Sequence, residues 1–342
     1  MSSRKSVDHL QDYYSEQDNL PALKKVAERY AVSVTDAVLG AIKSADDPVG
    51  LQYLPQAKEL VTQPEEIADP IGDSAHSPVP GIVHRYPDRV LLMPVHTCAV
   101  YCRFCFRREA VGPGKKTMSA AELEKALDYI RNDANIYEVI LSGGDPLILS
   151  PRRLKAIFDQ LEAIPHVQVI RIHSRLPVAD PGRITDELCA ALQTRKAMYV
   201  AIHVNHAQEI TPEAEAAFTR LRRADCVLLS QSVLLRGVND NPQALEGLFR
   251  RLVALRVKPY YLHHPDLAPG TSHFRLPLKQ GQSLVRALRG KMSGLCQPVY
   301  MLDIPGGHGK VPVGPQYLTE ADGRTEVTDP NGCAHSYPDE QG

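Results

Sequence analysis

Residues 90–108 read VLLMPVHTCAVYCRFCFRR. The first six form an apolar run of strand length. Cys98, Cys102 and Cys105 follow in the spacing C-x3-C-x2-C. A strand running straight into a reactive loop is the grammar of parallel α/β architectures, whose chemistry sits at the carboxyl ends of the strands. Three thiolates on one tight loop can take three corners of an iron–sulfur cube and leave the fourth iron open. A structural zinc site needs four protein donors. His96 is the neighbour that could serve as the fourth, which leaves a non-catalytic zinc-binding interaction protein as the rival reading. Arg103, Arg107 and Arg108 interleave and follow the cysteines, which argues against plain core residues.

Outward from this stretch the pattern repeats. Apolar, β-branched runs predict strands at 89–96, 137–142, 167–173, 198–204, 227–234, 257–263 and 298–304. Helices between them carry start signals. Ser119 with Glu122 makes a capping box, and Ser150-Pro151, Thr211-Pro212 and Asn241-Pro242 place a capping residue before a first-turn proline. Alternation of this kind implies βαβ units around a parallel sheet, closed into a full or partial barrel. Polar clusters follow each strand: CAVYCRFC, SGGD, SRLP, HVNH, QSVLLRG, HHPD and DIPGGHGK. Seven clusters on one rim describe one large active site. The first 75 residues are polar, with Leu20, Leu23, Val26 and Tyr30 at helical spacing, and predict short helices packed outside the core.

Composition narrows the class. Within 342 residues, 39 Lys and Arg balance 40 Asp and Glu, for a net charge of −1, so neither a nucleic-acid-coating surface nor a polybasic membrane anchor is indicated. No run approaches the ~18 apolar residues of a membrane span, and residues 1–17 lack the apolar core of a signal peptide. The expectation is a soluble cytoplasmic protein. Seven cysteines, three of them clustered, suit metal or catalytic use better than a disulfide framework. Cys189, Cys226 and Cys296 read as small core residues.

The C-x3-C-x2-C loop after the first strand resembles the radical S-adenosylmethionine superfamily, and Ser142-Gly143-Gly144-Asp145 after the second supports the resemblance. From about His84 to Lys310 the chain is similar to the lysine 2,3-aminomutases. HRYPDRVL (84–91), CAVYCRFCFRR (98–108), SGGDPL (142–147), QSVLLRGVND (231–240), PDLAPGTSHFR (265–275) and LDIPGGHGK (302–310) carry that similarity. It implies a partial (β/α)6 TIM-like barrel of the radical S-adenosylmethionine type at 76–295. An N-terminal helical region would occupy 1–75, and a C-terminal segment with the cofactor lysine 296–342.

The resemblance also implies cofactors and roles. Cys98, Cys102 and Cys105 would hold a [4Fe–4S] cluster. Ser142, Gly143, Gly144, Asp145 and His203 would contact S-adenosylmethionine, with Asn205, His206, Ser174 and Arg175 along the same rim. Lys310 would carry pyridoxal 5′-phosphate, with Arg85, Tyr86, Arg89 and Gln231 around it. A lysine does this as a free amine, so burial or nearby positive charge is expected. The GGHGK turn is not a P-loop, because Val311 stands where magnesium needs Ser or Thr. Arg107 offers a planar fork to the substrate carboxylate, and Asp266 and Asp303 would receive the ε-ammonium of L-lysine. Two anions against one cation select a basic side chain, with arginine as the other candidate substrate. The implied reaction begins with reductive cleavage of S-adenosylmethionine. Hydrogen is then taken from the lysine β-carbon, and nitrogen moves from C2 to C3. An electron donor such as flavodoxin or ferredoxin would be the partner, and a homo-oligomer is left open.

The sequence departs from the family pattern in places. His308 replaces a glycine before Lys310, which is expected to stiffen that turn. Cys333 alone follows Lys310, so the C-terminal zinc cluster of larger members is not expected. RIHSRLP and HVNHAQEI resemble the shorter branch that makes (R)-β-lysine for elongation factor P, whereas PDL and LDIPGGHGK resemble the free-lysine enzymes. A radical S-adenosylmethionine methyltransferase would have no use for Lys310 and both aspartates.

Overall fold

Nine strands build the central sheet of the computed structural model, which describes residues 3–4, 6–15, 19–115, 117–321 and 324–338. They are β1 Ile82–Tyr86, β2 Arg89–Val95, β3 Glu138–Gly143, β4 Val169–Ser174, β5 Ala197–His203, β6 Val227–Val233, β7 Lys258–His263, β8 Val299–Asp303 and β9 Lys310–Pro312. Their spatial order equals their chain order. β2 to β8 run parallel, while β1 and β9 pair antiparallel at the two edges. The edges do not pair with each other, so the α/β barrel is partial.

A helix of six or more residues runs between each two successive parallel strands: α1 Ala120–Asn132, α2 Pro151–Glu162, α3 Asp186–Ala191, α4 Pro212–Arg223, α5 Pro242–Ala254 and α6 Leu278–Leu288. Six strand–helix units followed by a seventh parallel strand agree with the expected (β/α)6 order. The caps form as read. Glu122 N–H donates to Ser119 Oγ at 3.2 Å while the Glu122 carboxylate accepts from Ser119 N–H at 2.7 Å. Ser150, Thr211 and Asn241 accept from the third residue of α2, α4 and α5. Each helix then buries one stripe. In α2 these are Leu154, Ile157, Phe158 and Leu161, whose burial stabilises by roughly 1.5–3 kcal/mol apiece.

Both antiparallel edges escaped the sequence reading. β1 and β2 form a hairpin with Tyr86 opposite Arg89 and Pro87-Asp88 as the turn. Its HRYP stretch is polar and lacks a strand's apolar alternation. β9 is only three residues long. The N-terminal helices Leu20–Arg29, Asp36–Ala41 and Gly50–Tyr53 are present, and they pack on the cysteine loop. Three short strands, Leu318–Ala321, Arg324–Thr328 and Ala334–Tyr337, form a separate antiparallel meander. Among the described residues no helix is long and apolar enough to cross a membrane.

Candidate active site

Every polar cluster of the sequence reading lies at or just beyond the carboxyl end of a parallel strand, so the sheet brings them to one rim. Cys98, Cys102 and Cys105 occupy the loop after β2. Cys105 N–H donates to Cys102 C=O at 3.1 Å, which winds the loop into a turn. Burial raises the Cys98 thiol far above its ordinary value, with Asp145 adding to the rise. Burial takes Cys102 up to about 11 and also raises Cys105. Such thiols stay protonated until a cationic centre stabilises the thiolates. Among the described residues no three metal-binding side chains converge on one point, as a single ion requires. A cubane uses one thiolate at each of three separate irons, and the three-cysteine donor set fits it.

Residues that sequence reading missed hold this loop in place. Glu59, fully buried, accepts from Arg103 Nε at 2.9 and 3.1 Å, from Arg103 Nη2 at 2.6 Å, and from Arg108 Nη2. Arg103 N–H donates to Gln52 C=O at 2.8 Å, and Tyr101 N–H to Ser33 C=O at 3.1 Å. Nothing in the AKEL stretch around Glu59 signals a buried ion pair.

Ser142, Gly143, Gly144 and Asp145 turn off β3 against the same loop. Gly143 has φ +101, which favours glycine. A Cβ on Gly144 would lie 2.2 Å from Thr97 O, so this glycine serves the packing of backbone on backbone. Asp145, expected beside S-adenosylmethionine, instead spends its carboxylate inside the protein. It accepts from Ser174 Oγ at 2.7 Å and from the N–H groups of Arg175, Leu176 and Leu147 at 2.8, 3.0 and 3.1 Å. Four donors saturate a carboxylate. Ser174 and Arg175, expected on the rim, likewise turn into buried networks. Asn205 does so too, through Gln52 Oε1 at 2.9 Å and Val233 N–H at 2.8 Å, and His206 caps its own turn by accepting from Gln208 N–H at 3.2 Å.

The opposite side of the rim carries the charged group. Asp303 on β8 lies in register with Lys310 on β9, and the Lys310 amine is 2.7 Å from its carboxylate. Arg85 on β1, expected at a phosphate, closes both ends of its fork on Asp303 at 3.0 and 3.1 Å. Lys310 was expected to be buried or beside positive charge; it is half-buried, and its direct neighbour is this anion. Lys310 N–H donates to Tyr86 Oη at 2.8 Å, and Arg89 lies 3.9 Å from the centre of the Tyr86 ring. In the turn before Lys310, Gly306, Gly307 and Gly309 have positive φ while His308 does not, so the side chain stands at the position that accepts one. The turn leans on the 70–76 segment through Gly306 N–H to Pro70 C=O at 3.0 Å and a contact of His76 Nε2 with Gly307 O at 3.2 Å.

Asp266 follows β7 and makes no hydrogen bond or ion pair among the described residues. Burial pushes its carboxyl up to about 7; Lys310, Arg107 and Arg85 pull it down and Asp303 pushes it further up. Lys310, Asp303 and Arg107 are thus among the charges that act most strongly on Asp266. Arg107 Nε donates to Asp73 at 2.7 Å and its Nη1 to Ser142 Oγ at 3.2 Å, so the fork already grips a carboxylate. Three histidines complete the wall. His173 and His203 have ring centres 5.9 Å apart, and Gln231 Nε2 contacts His173 Nε2 at 3.3 Å. Burial keeps His173, His263 and His203 neutral, the last lowered to about 3.

Comparisons with known proteins identify the family. The Radical SAM superfamily model matches residues 92–246, and the Lysine-2,3-aminomutase model matches 285–341. An L-lysine 2,3-aminomutase of Fusobacterium nucleatum is 40% identical over 92% of this chain and 74% of its own length. That of Clostridium subterminale is 44% identical over 84% of this chain and 70% of its own. A glutamate 2,3-aminomutase of Clostridioides difficile is 37% identical over 86% and 70%. The family works with a [4Fe–4S] cluster, S-adenosylmethionine and pyridoxal 5′-phosphate. With its C-x3-C-x2-C loop and this similarity along most of its length, the chain belongs to the lysine 2,3-aminomutase family of radical S-adenosylmethionine isomerases.

Proposed function

We propose that this protein moves the amino group of free L-lysine from C2 to C3, yielding β-lysine, with pyridoxal 5′-phosphate carried on Lys310. The observation that carries the reading is Asp266, a half-buried carboxylate with no hydrogen-bond or ion-pair partner among the described residues, on which the charges of Lys310 and Asp303 act. An enclosed anion of this kind is costly alone and is relieved by a cationic ligand end. Glutamate would bring a third carboxylate to the same place, which the charges disfavour.

When bound, the three cofactors supply a carbon-centred radical and a conjugated carrier for the migrating nitrogen. The chain's own residues position and protect. Cys98, Cys102 and Cys105 hold the cluster, and Ser142, Gly143, Gly144 and His203 border S-adenosylmethionine. Tyr86, Arg89 and Gln231 flank the pyridoxal group. Arg85 keeps Asp303 in place, Arg107 receives the substrate carboxylate, and Asp266 with Asp303 receives its ammonium. The neutral histidines and the packed rim exclude water around the reacting atoms. A low-potential one-electron carrier of the flavodoxin or ferredoxin class supplies the electron.

The test is anaerobic reconstitution followed by chiral chromatography after incubation with L-lysine, L-arginine or L-glutamate. β-Lysine is expected from lysine alone, and Lys310→Ala and Cys102→Ala should each abolish it. Turnover of glutamate but not lysine would overturn the assignment of Asp266 and Asp303.

A further inference from the structure

We propose that Arg175 is the buried cation that sets the reduction potential of the iron–sulfur cluster, acting at the Cys102 corner with Glu209 as its counterweight. The inference rests on the cluster reading above and concerns residues that no comparison assigns.

Arg175 stands just past β4, yet its side chain leaves the rim and enters the protein. The guanidinium lies 4.8 Å from the centre of the Tyr53 ring and 5.2 Å from that of Phe104, which sits between Cys102 and Cys105. Its Nε donates to Tyr53 Oη, and its Nη2 donates to Gln52 Oε1 at 2.5 Å and Glu209 Oε2 at 2.5 Å. Glu209 is held in turn by Gln52 Nε2 at 3.2 Å and by the N–H groups of Asn205 and His206 at 2.8 and 2.9 Å. All of Arg175, Glu209, Gln52, Tyr53 and Asn205 are buried.

A charge fixed in such a dry place acts with little screening. Cys102 packs against the buried cluster that contains Tyr53, whose hydroxyl accepts from Arg175 Nε. Reduction takes one electron from a low-potential donor and adds one negative charge to the cluster, with no bond made or broken. A cation beside Cys102 favours that extra charge and raises the potential, since net charge and hydrogen bonding around the sulfurs govern it. An anion beyond the cation tempers the effect. Arg175 is thus a positioning and tuning residue, because it acts through Cys102.

The test uses the full chain reconstituted anaerobically with iron and sulfide, with iron content and the brown absorbance checked first. Midpoints come from titration with dithionite followed by electron paramagnetic resonance. Arg175→Gln should lower the midpoint by about 59 mV, a tenfold change in the one-electron equilibrium. Arg175→Lys should restore most of it. Glu209→Gln keeps one oxygen to accept from the Asn205 and His206 N–H groups, puts a donor in place of the oxygen that accepts from Arg175, removes the anion, and should raise the midpoint. Unchanged midpoints in Arg175→Gln and Glu209→Gln, or shifts of the same sign, would overturn the inference and leave the network merely structural. If Arg175→Gln cannot hold iron, the sign of the Glu209→Gln shift decides. Loss of iron from both variants would likewise mark the network as structural. Wild-type protein without a cluster would instead overturn the cluster reading on which this one rests.

Discussion

Replacing Glu59 by glutamine removes one negative charge and almost no volume from beneath the cysteine loop. Burial alone would raise this carboxyl, but Arg103 and Arg108 more than reverse the effect and hold it below its ordinary range. Both guanidiniums are themselves buried, Arg103 at 1% exposure. The substitution therefore strands two enclosed cations that share one anion. Breaking a buried pair from one side costs about 3–5 kcal/mol. Against a total stability of about 5–15 kcal/mol that is a large fraction. At roughly 2 °C per kcal/mol for a chain of this size, the apoprotein should melt about 6–10 °C lower. Iron retention should fall as well, because Arg103 and Arg108 flank Cys105. The assay is differential scanning calorimetry of the apoprotein beside iron content after reconstitution. The exposed Lys155–Asp159 pair supplies the control: Asp159→Asn should change stability by no more than about 0.5 kcal/mol. A Glu59→Gln melting point within 2 °C of wild type would refute the reasoning. Glu59 also has a pH signature. Its depressed folded pKa contributes stability present above the ordinary carboxyl range, and that contribution is lost as the pH falls through the folded value.

Three further outcomes follow from other sites. The Asp266 carboxyl, raised to about 7 chiefly by burial, favours the fold at acid pH and loses that contribution as the pH rises through its folded value, so Asp266→Asn apoprotein should be more stable than wild type at pH 8 and not at pH 4, as read by thermal melting. The same group should make lysine bind more tightly as the pH rises through 7, a dependence that Asp266→Asn should erase along with most of the affinity. Gly144→Ala drives a methyl group to 2.2 Å from Thr97 O and should abolish iron binding, whereas Gly247→Ala in α5, with nothing within 4 Å, should stabilise by about 1 kcal/mol in calorimetry.

What could be read from the chain and what could not divide along the range of the interactions involved. Strand periodicity, the four capping residues and the C-x3-C-x2-C loop are local, so residues a few positions apart sufficed to place β2 to β8 and α1, α2, α4 and α5. Parallel connectivity then put every reactive loop on one rim without coordinates. Motifs in order along the chain also carried the family resemblance, which the comparisons with known proteins support. The pairing of charges was not legible. Arg85 closes on Asp303 across 218 positions, and Arg103 reaches Glu59 across 44. A sequence names such groups but not which anion meets which cation, because burial and distance set that choice. Asp145 shows the same limit: beside two glycines it reads as a ligand contact, yet four donors from the end of β4, the two residues after it and its own turn saturate it. The sequence by itself determined the order of elements and the inventory of reactive groups, both of which rest on local physics. Only the tertiary structure decided that Asp266 is left unpaired while Asp303 is shared, and that Arg175 lies behind the cysteines rather than on the rim. Partner choice in a dry interior depends on which side chains the closed sheet brings within hydrogen-bonding reach.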